Sequence, residues 1–180
     1  MIDKDNKILW ELYLKESPYS FPNISNDFNQ KIESIPIEKI KKLNYIGEFE
    51  NYQIYEQSSK DEVELYFTDK DSLVAFYSYT IRSNQPIKTK MIWNDEKYSG
   101  LFRKIFGEYI IPKFKIVESD DPMSNLGFNM WMKLIGFYPN YKFYAKTQNE
   151  LIPINEPYDV YLYKNKITDP DSSFVVEYKK

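Results

Sequence analysis

Residues 98–131 read YSGLFRKIFGEYIIPKFKIVESDDPMSNLGFNMW, and their order decides the fold. A single-glycine turn, Ser99-Gly100, opens an amphipathic run. Pro112 is predicted to stop that run, because proline has no amide hydrogen and crowds the turn before it. A short apolar strand follows at Ile116-Val117 and ends in the polar cluster Glu118-Ser119-Asp120-Asp121. A second amphipathic run carries Ser124, Gly127 and Trp131. Strand, tight turn, helix, strand, polar turn, helix is the arrangement in which α/β enzymes place a ligand at the C-terminal ends of their strands. The helix amides that open such a turn favour anionic groups, phosphate above all.

Upstream of this stretch the hydrophobic period is two. Strands are predicted at 44–48, 52–56, 63–68, 73–81 and 87–93, with Val63-Leu65-Phe67 alternating cleanly against Glu62-Glu64-Tyr66. Their short polar turns predict an antiparallel meander. Before it, helices are predicted over 6–16 and 37–43, joined by a polar connector over 18–30. Within the decisive stretch the expected elements are a helix at 99–111, a strand at 114–118 and a helix at 123–135, with Gly136 as its C-cap. Strand signals return at 141–146, 159–164 and 174–178. The connector 147–158, with Pro153 and Pro157, reads as a surface loop. The predicted fold class is α+β, one domain over 1–180. Its parts are helical at 1–43, a meander with the tight turn and its helices at 44–136, and closing strands at 137–180.

Composition narrows the chemistry. The 180-residue chain is 42% hydrophobic and 28% charged, within the globular range and long enough to bury a core. It has no Cys, so disulfides and thiolate chemistry are excluded. It has no His, so acid–base steps fall to Asp, Glu, Lys, Tyr, a terminus or water, and no metal site is expected. No apolar run approaches the ~20 residues that span a bilayer, and the opening MIDKDNK has no signal-peptide pattern. A soluble, cytoplasmic protein is expected. Net charge is −3, yet Arg82 to Lys115 holds eight basic residues against Asp95, Glu96 and Glu108. That local excess suits an anionic ligand or serves as a solvated helix face. Aromatics are 18% of the chain, 17 Tyr and 12 Phe among them; they fill a core or stack bases.

The element order resembles the GNAT acyltransferase fold. The stretch 98–131 is similar to GNAT-like proteins of bacterial viruses. It carries Gly100-Leu101, Tyr109-Ile110-Ile111-Pro112-Lys113, Ser119-Asp120, and Ser124-Asn125-Leu126-Gly127 running to Trp131. The resemblance implies a central, mostly antiparallel mixed sheet flanked by helices. It implies that strand 87–93 splays from strand 114–118 to admit the pantetheine arm of acetyl-CoA or another acyl-CoA. Ser99, Gly100 and Leu101 would then face the pyrophosphate, with Arg103 beside them. The turn keeps one glycine where the family pattern has two, and Phe102 stands where a small residue would admit phosphate.

Each candidate has two readings. Ser119 and Asp120 are catalytic, or they cap the next helix. Tyr138, or Tyr141 or Tyr144, is the tyrosine acid that the resemblance places after the second helix. Asn94 contacts an acceptor or makes a polar turn. Ser124, Gly127 and Trp131 share one helical face, which contacts substrate or packs on the sheet. The functional expectation is an acyltransferase using a small-molecule acyl donor on an amine, with a nucleobase as one acceptor and Tyr77, Tyr79 and Trp93 as stacking platforms. The alternative is an inactive viral binding protein, a virion component or an inhibitor of host defence.

Overall fold

The computed structural model describes residues 26–120, 125–147, 150–155 and 173–178. The helix expected at 6–16, the strand expected at 159–164, Asp121 and Ser124 lie outside them.

Two short helices come first, α1 (Asn26–Glu33) and α2 (Ile37–Ile40). The first falls largely in a segment read as a connector, because its stretch NDFNQKIE is mostly polar and offers only Phe28 and Ile32 as apolar markers of a helix. The meander then runs through β1 (Asn44–Phe49), β2 (Tyr52–Ser58), β3 (Glu62–Thr68), β4 (Leu73–Thr80) and β5 (Ile87–Asn94), each antiparallel to its neighbour. It matches the predicted strands to within a few residues. The remaining strands are β6 (Ile116–Glu118), β7 (Lys142–Lys146), β8 (Leu151–Ile154) and β9 (Ser173–Glu177). All nine form one mixed sheet in the order β1-β2-β3-β4-β5-β6-β9-β7-β8. Among the described strands only β5 and β6 pair in parallel. The architecture is α+β, as expected. β8 corrects the reading of 147–158 as a loop. It holds Pro153, which a strand at the edge of a sheet tolerates because one side has no ladder to complete.

The helix after β5 does not stop at Pro112. It passes from α3 (Leu101–Ile105) through a π turn (Phe106–Ile110) into α4 (Ile111–Phe114). In the π register the Ile111 amide donates to Phe106 O. The next amide due, for Gly107 O, belongs to residue 112, and proline has none. The Tyr141 hydroxyl fills the vacancy, donating to Gly107 O at 2.7 Å. The wider turn thus admits the proline, and a distant side chain completes its hydrogen bonding. The last helix, α5 (Asn125–Phe137), runs through Gly136, which is therefore not its C-cap.

Two hydrophobic layers sandwich the sheet. One gathers Tyr77, Phe102, Phe106, Trp131, Val117 and Phe174 under α3, α4 and α5. The other joins Ile32 and Ile40 of α1 and α2 to Tyr55, Tyr66, Phe76 and Trp93. Burying one aromatic of this size contributes roughly 2–3 kcal/mol, so the Tyr and Phe content is spent mainly on packing. Tyr77, Tyr79 and Trp93 are all buried, so none is available as a stacking platform for a base.

Candidate functional site at the parting of two strands

β5 and β6 run side by side and then separate. Their ladder has only two pairs, Ile87 with Val117 and Lys88 with Glu118. Beyond Lys88, β5 has no ladder partner on that edge among the described residues. The register of β4 against β5 slips between Ser78–Met91 and Tyr79–Thr89, leaving Lys90 as an extra residue in β5. A bulge of this kind bends its strand and raises its twist. It sits just past the last pair with β6, where a bend turns β5 away.

The far end of β5 is shaped by Asp95. Its carboxylate accepts from Lys97 N at 2.9 Å and its carbonyl from Tyr98 N at 2.9 Å. The Asn94 amide donates to Asp95 O at 3.0 Å, so it braces this turn. Ser99 is exposed, and Gly100 adopts φ 83°, the left-handed conformation that glycine alone takes without strain. Gly100 is the N-cap residue and offers no side chain to the first amides of the helix. Those amides have no partners within the helix. Leu101 points into the core. So does Phe102, whose ring lies 6.0 Å from Tyr77 and 5.8 Å from Phe106. Its ring therefore leaves the outer side of the turn clear, contrary to the crowding expected from the sequence.

Arg103 extends along the outside of this turn. Its guanidinium carbon lies 3.7 Å above the Phe137 ring, and a Cβ on Gly100 would sit 3.4 Å from its Nη2. Among the described residues no carboxylate pairs with it. Tyr138 follows Phe137 in the chain and is close enough to feel the Arg103 charge. Its ring fills the notch left by Gly107, stacks on Tyr141 at 5.4 Å, and its hydroxyl donates to Glu108 at 3.3 Å. Burial first, then the Glu108 charge and hydrogen bond, raise its pKa to about 12. At neutral pH it is a proton donor and not a base. Tyr141 spends its hydroxyl on Gly107, and Tyr144 donates to Glu177 at 3.3 Å.

Two expected site residues belong to the core instead. Trp131 is 1% exposed, between Phe106 and Phe174 at 5.3 and 5.9 Å, and is closed to any ligand. Ser119 is fully buried; its Oγ accepts from Phe174 N at 2.8 Å and donates to Asp120 O, while its own amide donates to Phe174 O. It extends β6 along β9 with its side chain. Asp120 is half-buried at the same strand end.

The residue missed by sequence reasoning is Glu118. It is 4% exposed and accepts from Arg82 at 2.6 Å, Ser173 at 2.8 Å and Lys146 at 3.1 Å. Burial would raise its pKa, but the hydrogen bonds from Arg82, Ser173 and Lys146 outweigh it and hold the carboxyl below the usual range. A single glutamate closing an apolar strand was the available signal. A separate cavity of about 700 Å³ lies by Ile135, Tyr141, Lys142, Tyr144 and Pro153, at the other end of β6, and reaches neither Glu118 nor the Gly100 turn.

No protein-family model matches the sequence, and no curated protein does. Among solved structures, it is similar to a GNAT-family acetyltransferase from Staphylococcus aureus Mu50. The two are 13% identical over 98% of this chain and 94% of that one, with a TM-score of 0.39. A protein assigned to the same family from Bacteroides thetaiotaomicron is 12% identical over 99% of this chain and 85% of its own, with a TM-score of 0.36.

Proposed function

We propose that this protein is an acyltransferase that moves an acyl group from a coenzyme A thioester to an amine, of the type found in bacterial viruses. The observation that carries the reading is the two-pair ladder between β5 and β6, which leaves the edge of β5 from Thr89 to Asn94 without a strand partner on that side among the described residues. An extended amide-bearing arm can complete such an edge. The turn after β5 suits the other end of the same ligand. The amides of Ser99, Gly100 and Leu101 would face the diphosphate, and Arg103, braced on Phe137, would add a cation.

A bound thioester supplies an activated acyl group and a thiolate leaving group. Tyr138 would hand a proton to the departing thiolate, a role supported by a hydroxyl that stays protonated at neutral pH. Asp120, at the C-terminal end of β6, is the candidate to receive the proton from the amine. Ser119 acts only by holding that strand end against β9. A nucleobase acceptor has lost two supports. The aromatics suggested for stacking are buried, and Arg82, Lys90 and Lys104 of the basic strip are in ion pairs with Glu118, Glu62 and Glu50. The acceptor is therefore proposed as an amine without that specification.

Calorimetric titration with acetyl-CoA tests the reading. Micromolar binding is expected, weakened about tenfold in Arg103→Gln, as for loss of a charge-assisted hydrogen bond. It should be abolished in Gly100→Glu, which places a carboxylate in the turn. A folded wild-type protein that binds no acyl-CoA would sink the proposal and favour the binding-protein alternative.

A further inference from the structure

The sheet is weakest in backbone terms at its middle. The β5–β6 ladder has two pairs, against six between β4 and β5 and five between β7 and β9. Glu118 occupies the last position before the strands part. Three side chains reach its carboxylate, and they come from different sides of the seam. Lys146 on β7 and Ser173 on β9 belong to the same half as β6, so their bonds orient the carboxylate within that half. Arg82 comes from the other half, in the loop between β4 and β5. Its Nε and Nη2 also donate to Pro86 O at 3.3 and 2.8 Å, just ahead of β5. The same Nη2 donates to Glu118 at 2.6 Å. The guanidinium therefore fixes the entry to β5 and the end of β6 together.

We infer that Glu118 is a positioning residue: through Arg82 it clasps the two halves of the sheet at the innermost point of the cleft and sets how far β5 and β6 stand apart. The consequence for ligand binding rests on the acyl-CoA reading. An arm lying between two strands makes hydrogen bonds that weaken steeply with distance and angle, so the strand separation controls its affinity. The diphosphate turn at Gly100 lies at the far end of β5 and does not depend on that separation. Clasp and turn should then be separable by experiment.

The test compares Arg82→Gln, which cuts the link across the seam, with Lys146→Gln, which cuts a link within one half. Arg82 and Lys146 side chains are 27% and 40% exposed, so neither loss leaves a sealed cavity. Hydrogen exchange is followed at the amides of Val117, Glu118 and Thr89. Affinity is measured for acetyl-CoA and for ADP, which has the diphosphate without the pantetheine arm. Arg82→Gln is expected to speed exchange at the seam and weaken acetyl-CoA by about tenfold, within the range for a misplaced binding group. Its ADP affinity should match wild type, and Lys146→Gln should speed seam exchange and weaken acetyl-CoA distinctly less than Arg82→Gln does. Unchanged exchange at the seam in Arg82→Gln, unchanged acetyl-CoA affinity, equal losses for both ligands, or equal effects of the two substitutions would each overturn the clasp. If wild type binds no acetyl-CoA, the functional reading falls, and the exchange comparison alone decides whether the clasp exists.

Discussion

The two halves of the sheet are built on different terms. In the meander, β1 to β5 follow one another in the chain and pair with their neighbours through short turns. In the closing half, β6, β9, β7 and β8 are three to five residues long and stand out of chain order. The meander is held by backbone ladders that local sequence can specify. The closing half has shorter ladders, between β6, β9, β7 and β8, and adds side chains that arrive from far along the chain, such as Ser119 on Phe174 and Glu118 on Ser173. Order that depends on distant side chains is the easier to undo, so single substitutions should act most strongly on the closing half or on what joins the two.

Trp131→Ala is the severest way to test this. The indole packs on Phe106 on one side and on Phe174 of β9 on the other. Its loss should cost about 3–5 kcal/mol in denaturant unfolding. If the closing half depends on it, exchange in β7 and β9 should rise ahead of exchange in β3 and β4.

Glu118→Gln should come next, at about 2 kcal/mol at neutral pH, since hydrogen bonds to a buried ionised group are lost. The pH dependence has a definite sign. A carboxyl whose pKa is lowered on folding contributes fully above its unfolded value, and the contribution disappears as pH falls through the folded one. Wild type should therefore lose stability below the ordinary carboxylate range, and Glu118→Gln should show a flatter acid limb. Parallel acid limbs would show that the bonds to the Glu118 carboxylate contribute nothing.

The same contrast explains what could be read from the sequence. The meander was legible because alternation and turn residues are local, as in Val63-Leu65-Phe67 against Glu62-Glu64-Tyr66. The turn at Gly100 was legible because a lone glycine before an apolar run has few structural meanings. Other features were not. Pro112 looks like a stop because its remedy, the Tyr141 hydroxyl, lies outside any local window. Glu118 looks like one member of a polar cluster because Arg82, Lys146 and Ser173 are 36, 28 and 55 residues away. Phe102 looks obstructive until the helix phase turns it inward.

Smaller effects refine the comparison. Gly100→Ala should cost about 1 kcal/mol through its left-handed backbone, with no clash against Arg103. Gly107→Ala should cost about 1 kcal/mol or more, because a Cβ there would lie 2.2 Å from the Tyr138 ring and must push it off Tyr141, which outweighs the gain in helix propensity. Its clear signature is spectroscopic. Tyr138 should ionise nearer the ordinary tyrosine pH than its native value of about 12, read by ultraviolet titration against Tyr138→Phe. Lys90→Ala, which breaks an exposed pair with Glu62 inside the meander, should cost about 0.5 kcal/mol or less and vanish at high salt. A larger loss there would mean that the meander too relies on side chains.

The bond from Tyr141 to Gly107 also sets an order of events during synthesis. The helix around Pro112 carries an acceptor that its own segment cannot satisfy, and the donor is made 34 residues later. A chain emerging from the ribosome can complete the meander as its strands appear, since each pairs with the one before it. The helix lying on that meander must wait with an open carbonyl until Tyr141 has emerged. A nascent chain stalled ahead of that tyrosine should hold the meander in protected form and leave the π turn exchanging freely.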